Sequence, residues 1–138
     1  MDGNAGDIWM RYNDACNAAD FATLESLVAP TLAVAINGSA GLGSSDDDVR
    51  AIREMFEKYP DYRREVEEVL ALDDRATIRW RMHGTPAHPN TPPLHIAGCS
   101  IVRVQDGIIT EAYLYCDGDG LQKVVNDSRG QEQDSPEL

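Results

Sequence analysis

Three strand-like runs dominate the second half of the chain: Ala76–Thr85, Leu94–Val104 and Ile108–Asp117. Turn residues separate them. Gln105-Asp106-Gly107 predicts a hairpin in which Gly107 is free to take positive φ, and Asp73-Asp74 predicts a similar reversal upstream. Consecutive strands joined this way pair antiparallel as spatial neighbours. The stretch Tyr62–Leu72 contains good helix formers, but it leads through Asp73-Asp74 straight into a strand, and the edge of the meander needs a partner. Both points favour a fourth strand. The bridge Pro86–Pro93 holds four of the seven prolines, which excludes it from a ladder and predicts a rim loop.

Upstream the period changes to three and four residues. Ile8, Tyr12, Ala15, Cys16 and Ala19 form one stripe of a helix over about Ile8–Ala19, with Asp7 as its cap. Asp20-Phe21 breaks it, and Leu24, Leu27 and Val28 predict a second short helix ending before Pro30. Leu32–Ile36 reads as a short buried strand closed by Asn37-Gly38, and the glycine- and serine-rich stretch Asn37–Ser45 as a loop. Ser45 and Asp48 have capping-box spacing and open a third helix to about Lys58, with Val49, Ile52, Phe56 and Tyr59 facing inward. The acids Asp46, Asp47 and Asp48 suit its positive end, and Pro60-Asp61 terminates it. The expected architecture is α+β: a curved antiparallel sheet covered on one face by three N-terminal helices. Such a cone leaves a pocket between its helices and its sheet.

At 138 residues this is one domain, expected over 1–126, with an acidic, polar and disordered tail at 127–138 and a small apolar patch at Leu121–Val125 before it. The net charge of −12 argues against nucleic acid and anionic membranes as partners. Arg63-Arg64 is the densest basic pair, and Glu65, Glu67 and Glu68 answer it at once. No apolar run approaches a membrane span, and Asp2 and Asp7 stand where a secretion signal needs positive charge. Three widely spaced cysteines, Cys16, Cys99 and Cys116, suggest free buried thiols. The expected location is therefore cytoplasmic. No GxGxxG, Walker or Gly-x-Ser-x-Gly pattern occurs, and His83, His88 and His95 are scattered rather than arranged as HxH or HExxH. The expectation is a site with no cofactor and no metal.

The segments REVEEVLALDDRATIRWRMHGT and GCSIVRVQDGIITEAYLYCD together resemble the SnoaL-like polyketide cyclase family of the NTF2-like superfamily. The matching positions are Gly84-Thr85, Gly98, Arg103, Asp106-Gly107, Ile109, Glu111, Tyr113 and Asp117, and the similarity extends over about residues 8–125. It implies an NTF2-like, cystatin-like cone. The reaction stays open, because the superfamily includes cyclases, ketosteroid isomerases, dehydratases, epoxide-opening enzymes and non-catalytic binding modules. Two positions depart from the pattern. The histidine usual after Gly-Thr is replaced by Pro86-Ala87, with His83 just upstream and His88 downstream, and the usual tryptophan of the last strand is Tyr113. Epoxide-opening relatives use an Arg-x-Asp pair where this chain has Arg79-Trp80-Arg81, so that triad lacks its acid.

Strand alternation divides the candidates between two faces. Ile78, Trp80, Met82, Ala112, Leu114 and Cys116 share one; Arg79, Arg81, His83, Glu111, Tyr113, Tyr115 and Asp117 share the other. Composition alone makes the first face core and the second solvent-exposed. The resemblance implies the reverse: Asp117 matches the cyclases' catalytic acid and Tyr113 their aromatic, so the second face lines the pocket and the Trp80 face packs against a partner subunit in a homodimer through the sheet. On that basis Asp117 and His83 are the expected acid–base pair. Arg79 and Arg81 either neutralise a substrate anion or pair across strands with Glu65, Glu67 or Glu111. Tyr12, Tyr62, Tyr113, Tyr115 and Asn37 are the remaining substrate-contact candidates, with Tyr12 also explained by its helix's core stripe and Asn37 by its turn. The expected activity is a cofactor-independent cyclase or isomerase acting on an oxygenated, mostly apolar small metabolite. A non-catalytic binding or dimerisation module, or a dehydratase or epoxide-opening enzyme, is the alternative.

Overall fold

The structure, a computed structural model, describes residues 4–118. The Leu121–Val125 patch and the tail lie outside the described residues. Those described form three helices, α1 (Ala5–Asn17), α2 (Phe21–Ser26) and α3 (Ser45–Lys58). They also form six strands: β1 (Val28–Ile36), β2 (Ser39–Leu42), β3 (Arg63–Leu72), β4 (Arg75–Gly84), β5 (Leu94–Gln105) and β6 (Ile108–Cys116). The strands make one sheet in the order β2-β1-β6-β5-β4-β3.

The meander β3–β6 matches the expectation from its turns. Asp73 sits at φ 56°, and Asp106 and Gly107 at 55° and 76°, the left-handed conformations that close tight hairpins. Three expectations about the strands fail. The sheet is mixed rather than antiparallel, because β1 runs parallel to β6 with Ala33 opposite Glu111 and Ile36 opposite Leu114. The predicted loop after Asn37 contains β2: Asn37 and Gly38, at φ 50° and 85°, form a two-residue hairpin turn that folds Ser39 back onto Ile36. Finally, α2 stops at Ser26 and Val28 already pairs with Ile109. Pro30 is tolerated inside β1 because the register shifts between Val28 and Ala33, where its missing N–H breaks no ladder bond.

Helix boundaries follow the caps. Asn4, not Asp7, caps α1: its Oδ1 accepts from the Asp7 N–H at 2.9 Å, and Asp7 Oδ2 accepts the Asn4 N–H at 3.3 Å. Asp20 caps α2 by accepting from the N–H and hydroxyl of Thr23. The helices cover one face of the sheet, where Ala76, Ile78, Trp80 and Met82 of β4 join Val102 of β5 and Ala112 of β6 beneath Ile8, Trp9, Leu24, Ile52 and Met55. The Trp80 face is therefore the core of a single chain, as composition suggested, and does not wait for a partner subunit. Its indole N–H donates to Ser100 Oγ at 2.9 Å, so the buried ring leaves no unsatisfied donor.

Gly98 stands opposite Trp80 on one side and Cys116 on the other. A Cβ there would lie 2.7 Å from the Trp80 ring, from Cys116 Cβ and from the Tyr115 carbonyl oxygen. Gly98→Ala is expected to lower stability by about 1–3 kcal/mol, the usual cost of overpacking. Urea midpoints check this, and an unchanged midpoint contradicts the contact.

Candidate active site

Between the helices and the sheet lies a cavity of about 80 Å³, walled largely by aliphatic side chains such as Leu32, Ile52, Met55 and Val102. Its polar groups include Tyr12 and Cys16 from helix α1, Asp48 from α3, Tyr62 just before β3, Arg64 from β3 and Ser100 from β5.

Asp48 reaches the cavity because of how α3 is capped. Ser44 Oγ accepts from the Asp47 N–H at 3.1 Å, and Asp47 Oδ2 accepts the Gly43 N–H at 3.2 Å. The helix is thus framed by Ser44 and Asp47, one residue earlier than the Ser45 and Asp48 expected from spacing. One residue is about 100° of helix rotation. In the observed frame Asp48 heads the inward stripe Asp48, Ala51, Ile52 and Met55, and only 6% of it is exposed. The Tyr12 hydroxyl donates to Asp48 Oδ2 at 2.8 Å.

Burial opposes the charged carboxylate and pushes the Asp48 pKa up to about 6, while the Tyr12 hydrogen bond and the Arg64 charge pull it partly back. Burial, followed by the Asp48 charge, raises the Tyr12 phenol well above its ordinary range, so it stays a hydrogen-bond donor. Burial also raises the Cys16 thiol, and the adjacent Tyr62 hydroxyl is raised in the same way.

Arg64 is clamped from α1. Its Nε donates to Asn13 Oδ1 at 2.7 Å, its backbone N–H donates to Asn17 Oδ1 at 2.8 Å, and its carbonyl accepts from both Asn13 and Asn17 side-chain amides. Its guanidinium lies 4.6 Å from the centre of the Trp9 ring. Arg64 Nη2 is buried with no hydrogen-bond partner among the described residues.

The profile of a known domain family matches residues 9–112, and its description is SnoaL-like domain. The chain belongs to the SnoaL-like domain family. The comparison with curated proteins returns no match. Among solved structures it is similar to wild-type IdmH of Streptomyces antibioticus, provisionally assigned as a polyketide cyclase, at 19% identity over 93% of this chain and 99% of that one, with a TM-score of 0.73. A cystatin-like-fold protein of Xanthomonas campestris is 22% identical over 89% and 98% of the two chains (TM-score 0.72). A protein of Kribbella flavida provisionally named a ketosteroid isomerase is 17% identical over 83% and 78% (TM-score 0.66). These likenesses establish the cystatin-like α+β fold of this SnoaL-like chain.

Of the residues expected at the site, the structure brings Tyr12 and Tyr62 into the cavity wall. Asp117 is exposed and lines a shallow open groove on the outer side of the sheet with Asn37, Arg79, Arg81 and Tyr115, away from the cavity. His83 is also outside, with Nε2 3.1 Å from Glu65 Oε1 and its ring against His95. Arg79 binds Glu67 and Glu68, and Arg81 binds Glu67 at 2.8 Å: both take the cross-strand partners rather than the pocket. Tyr113 donates to Glu111, and Tyr115 is 48% exposed. Asn37 is structural: its side chain accepts the Cys116 N–H and donates to the Cys116 carbonyl, tying the β1–β2 turn to the end of β6.

Asp48 and Arg64 are the polar residues that sequence reasoning missed. A signal existed for each. Asp48 keeps helical spacing with Ala51, Ile52 and Met55, and Arg64 alternates with the inward Tyr62 along β3. The acids after Arg63-Arg64 do not answer both arginines: Glu65 pairs with Arg63 on the outer face. Among the described residues no group of three or more His, Cys, Asp or Glu is placed to hold a metal ion, and no helix is long and apolar enough to cross a membrane.

Asp48 makes stability depend on pH in a defined sense. Folded, it keeps its proton to about pH 6; unfolded, it releases it near its ordinary value of 3.8. Between those values the folded chain binds more protons, so this contribution to stability falls as pH rises. Across the window, wild type should lose roughly 3 kcal/mol relative to Asp48→Asn, which cannot ionise. Urea titrations of both proteins at a series of pH values check this, and a constant difference contradicts it.

Proposed function

We propose that this SnoaL-like chain is an acid–base enzyme of the cyclase or isomerase type, acting through side chains alone on an oxygenated, mostly apolar small molecule. The observation that carries the proposal is the buried Asp48 carboxylate, held by the Tyr12 hydroxyl inside an apolar cavity. The names given to IdmH and to the Kribbella flavida protein support the reaction class. The acid–base group is Asp48, positioned by Tyr12, rather than the pair Asp117 and His83, which lie outside the cavity.

In this mechanism Asp48 is largely ionised at neutral pH and removes a proton from carbon next to a carbonyl. One carboxylate oxygen accepts from Tyr12, which fixes its orientation and leaves the other oxygen to act as base. Returning the proton to a different carbon isomerises the substrate. Attack of the enolate on a second carbonyl instead closes a ring, the proton on Asp48 passes to the new alkoxide, and the cavity wall holds the two ends together. A purely binding module needs no ionisable group in its interior. The buried Asp48–Tyr12 pair is what favours catalysis over that alternative.

Deuterium uptake from D₂O beside the carbonyl of small cyclic ketones and 1,3-diketones, followed by NMR, measures this competence without the natural substrate. Uptake should rise as pH passes through about 6, where Asp48 ionises. Asp48→Asn should slow it by roughly 10²-fold or more and Tyr12→Phe by about tenfold. Asp117→Asn should leave it within about twofold of wild type. No uptake above buffer, or equal rates in wild type and Asp48→Asn, contradicts the proposal.

A further inference from the structure

Inside the cavity the charges are arranged unusually. Arg64 is the one cation in its wall among the described residues, and only 6% of it is exposed. The one carboxylate in the same wall acts on it only through space, without direct contact. Asp48 takes the Tyr12 hydroxyl instead, and no ion pair joins Asp48 to Arg64 among the described residues. Arg64 is held at three points: Asn13 receives its Nε–H, the Trp9 ring lies against the face of its guanidinium, and Asn17 grips its backbone. That leaves Nη2 a buried charged donor with no acceptor among the described residues. A guanidinium presents its donors in a rigid planar fork suited to oxyanions. The clamp from α1 pre-orients that fork, so binding an anion needs little further ordering.

We propose that the cavity takes a ligand with an apolar body and an anionic oxygen, a carboxylate or an enolate, with Arg64 Nη2 donating to that oxygen. The aliphatic wall accepts the body, and the unpaired donor selects the charged end. The inference rests on the cavity being the ligand site but does not need Asp48 to move a proton. It narrows the substrate class: a neutral ketone or alcohol leaves Nη2 without a charged partner, whereas a keto acid or the enolate of a 1,3-diketone supplies one.

Calorimetric titration with hexanoate, hexanamide, hexane-2,4-dione and 2-hexanone tests it directly. Hexanoate should bind wild type at least about tenfold tighter than hexanamide, and the dione tighter than 2-hexanone if the charge comes from an enolate. The charge preference should fall to near unity in Arg64→Met and be partly kept in Arg64→Lys. A slowly exchanging guanidinium signal in the ¹⁵N NMR spectrum of wild type should shift with hexanoate and not with hexanamide, which decides the matter even if neither variant folds. Equal binding of both charged and neutral pairs, a preference untouched in the folded Arg64 variants, or an unmoved guanidinium signal overturns the inference. Failure here is separable from failure of the catalytic proposal. Equal binding alongside exchange that depends on Asp48 removes the anion site alone. An Arg64-dependent preference alongside exchange indifferent to Asp48→Asn removes the acid–base role alone.

Discussion

The hydrogen bond from the Tyr12 hydroxyl to Asp48 joins the first helix to the third across the interior of the protein. A carboxyl group placed among aliphatic side chains is tolerated only if its polar atoms are satisfied or it takes up a proton, and here both effects operate. Tyr12 satisfies one oxygen and desolvation raises the affinity for the proton. A group with that balance changes ionisation near neutrality, which is what proton transfer at neutral pH requires. The geometry of the cavity and its chemistry therefore have one origin.

The pair keeps its position because the elements carrying it are anchored elsewhere. Helix α1 is pinned to β3 by Asn13 and Asn17, which together engage the Arg64 side chain, its N–H and its carbonyl. Helix α3 is held at its start by the Ser44–Asp47 cap. At the far end of the sheet Asn37 ties the β1–β2 turn to β6, whose parallel pairing with β1 has no short connection to support it. Polar side chains thus act as struts around an apolar space, while the outer face carries a separate lattice of ion pairs between β3 and β4 that leaves the cavity untouched.

Much of this fold was legible from local sequence. The meander could be read because its reversals are encoded in residues that accept positive φ, at Asp73 and at Asp106-Gly107. The same logic applied to Asn37-Gly38, but the run of glycine and serine around it masked the four-residue strand it introduces. The parallel pairing of β1 with β6 left no local trace, since residues about 80 positions apart decide it. The site was harder still. Alternation placed Trp80 inside and Asp117 outside, and the resemblance to cyclases argued the opposite for Asp117; the observed burial follows alternation. A one-residue difference in the helix cap concealed Asp48, because a cap aspartate and a buried aspartate differ by a rotation that composition does not record. Arg64 was concealed by its neighbours, since a basic residue among acids looks paired until strand alternation sends it to the other face.

The most direct measurement is the titration of the Asp48 carboxyl itself by ¹³C NMR, with its resonance assigned by its loss in Asp48→Asn. A carboxyl buried beside Tyr12 titrates near pH 6. A titration near the ordinary value of 3.8 would show a hydrated carboxylate and contradict the buried acid–base group.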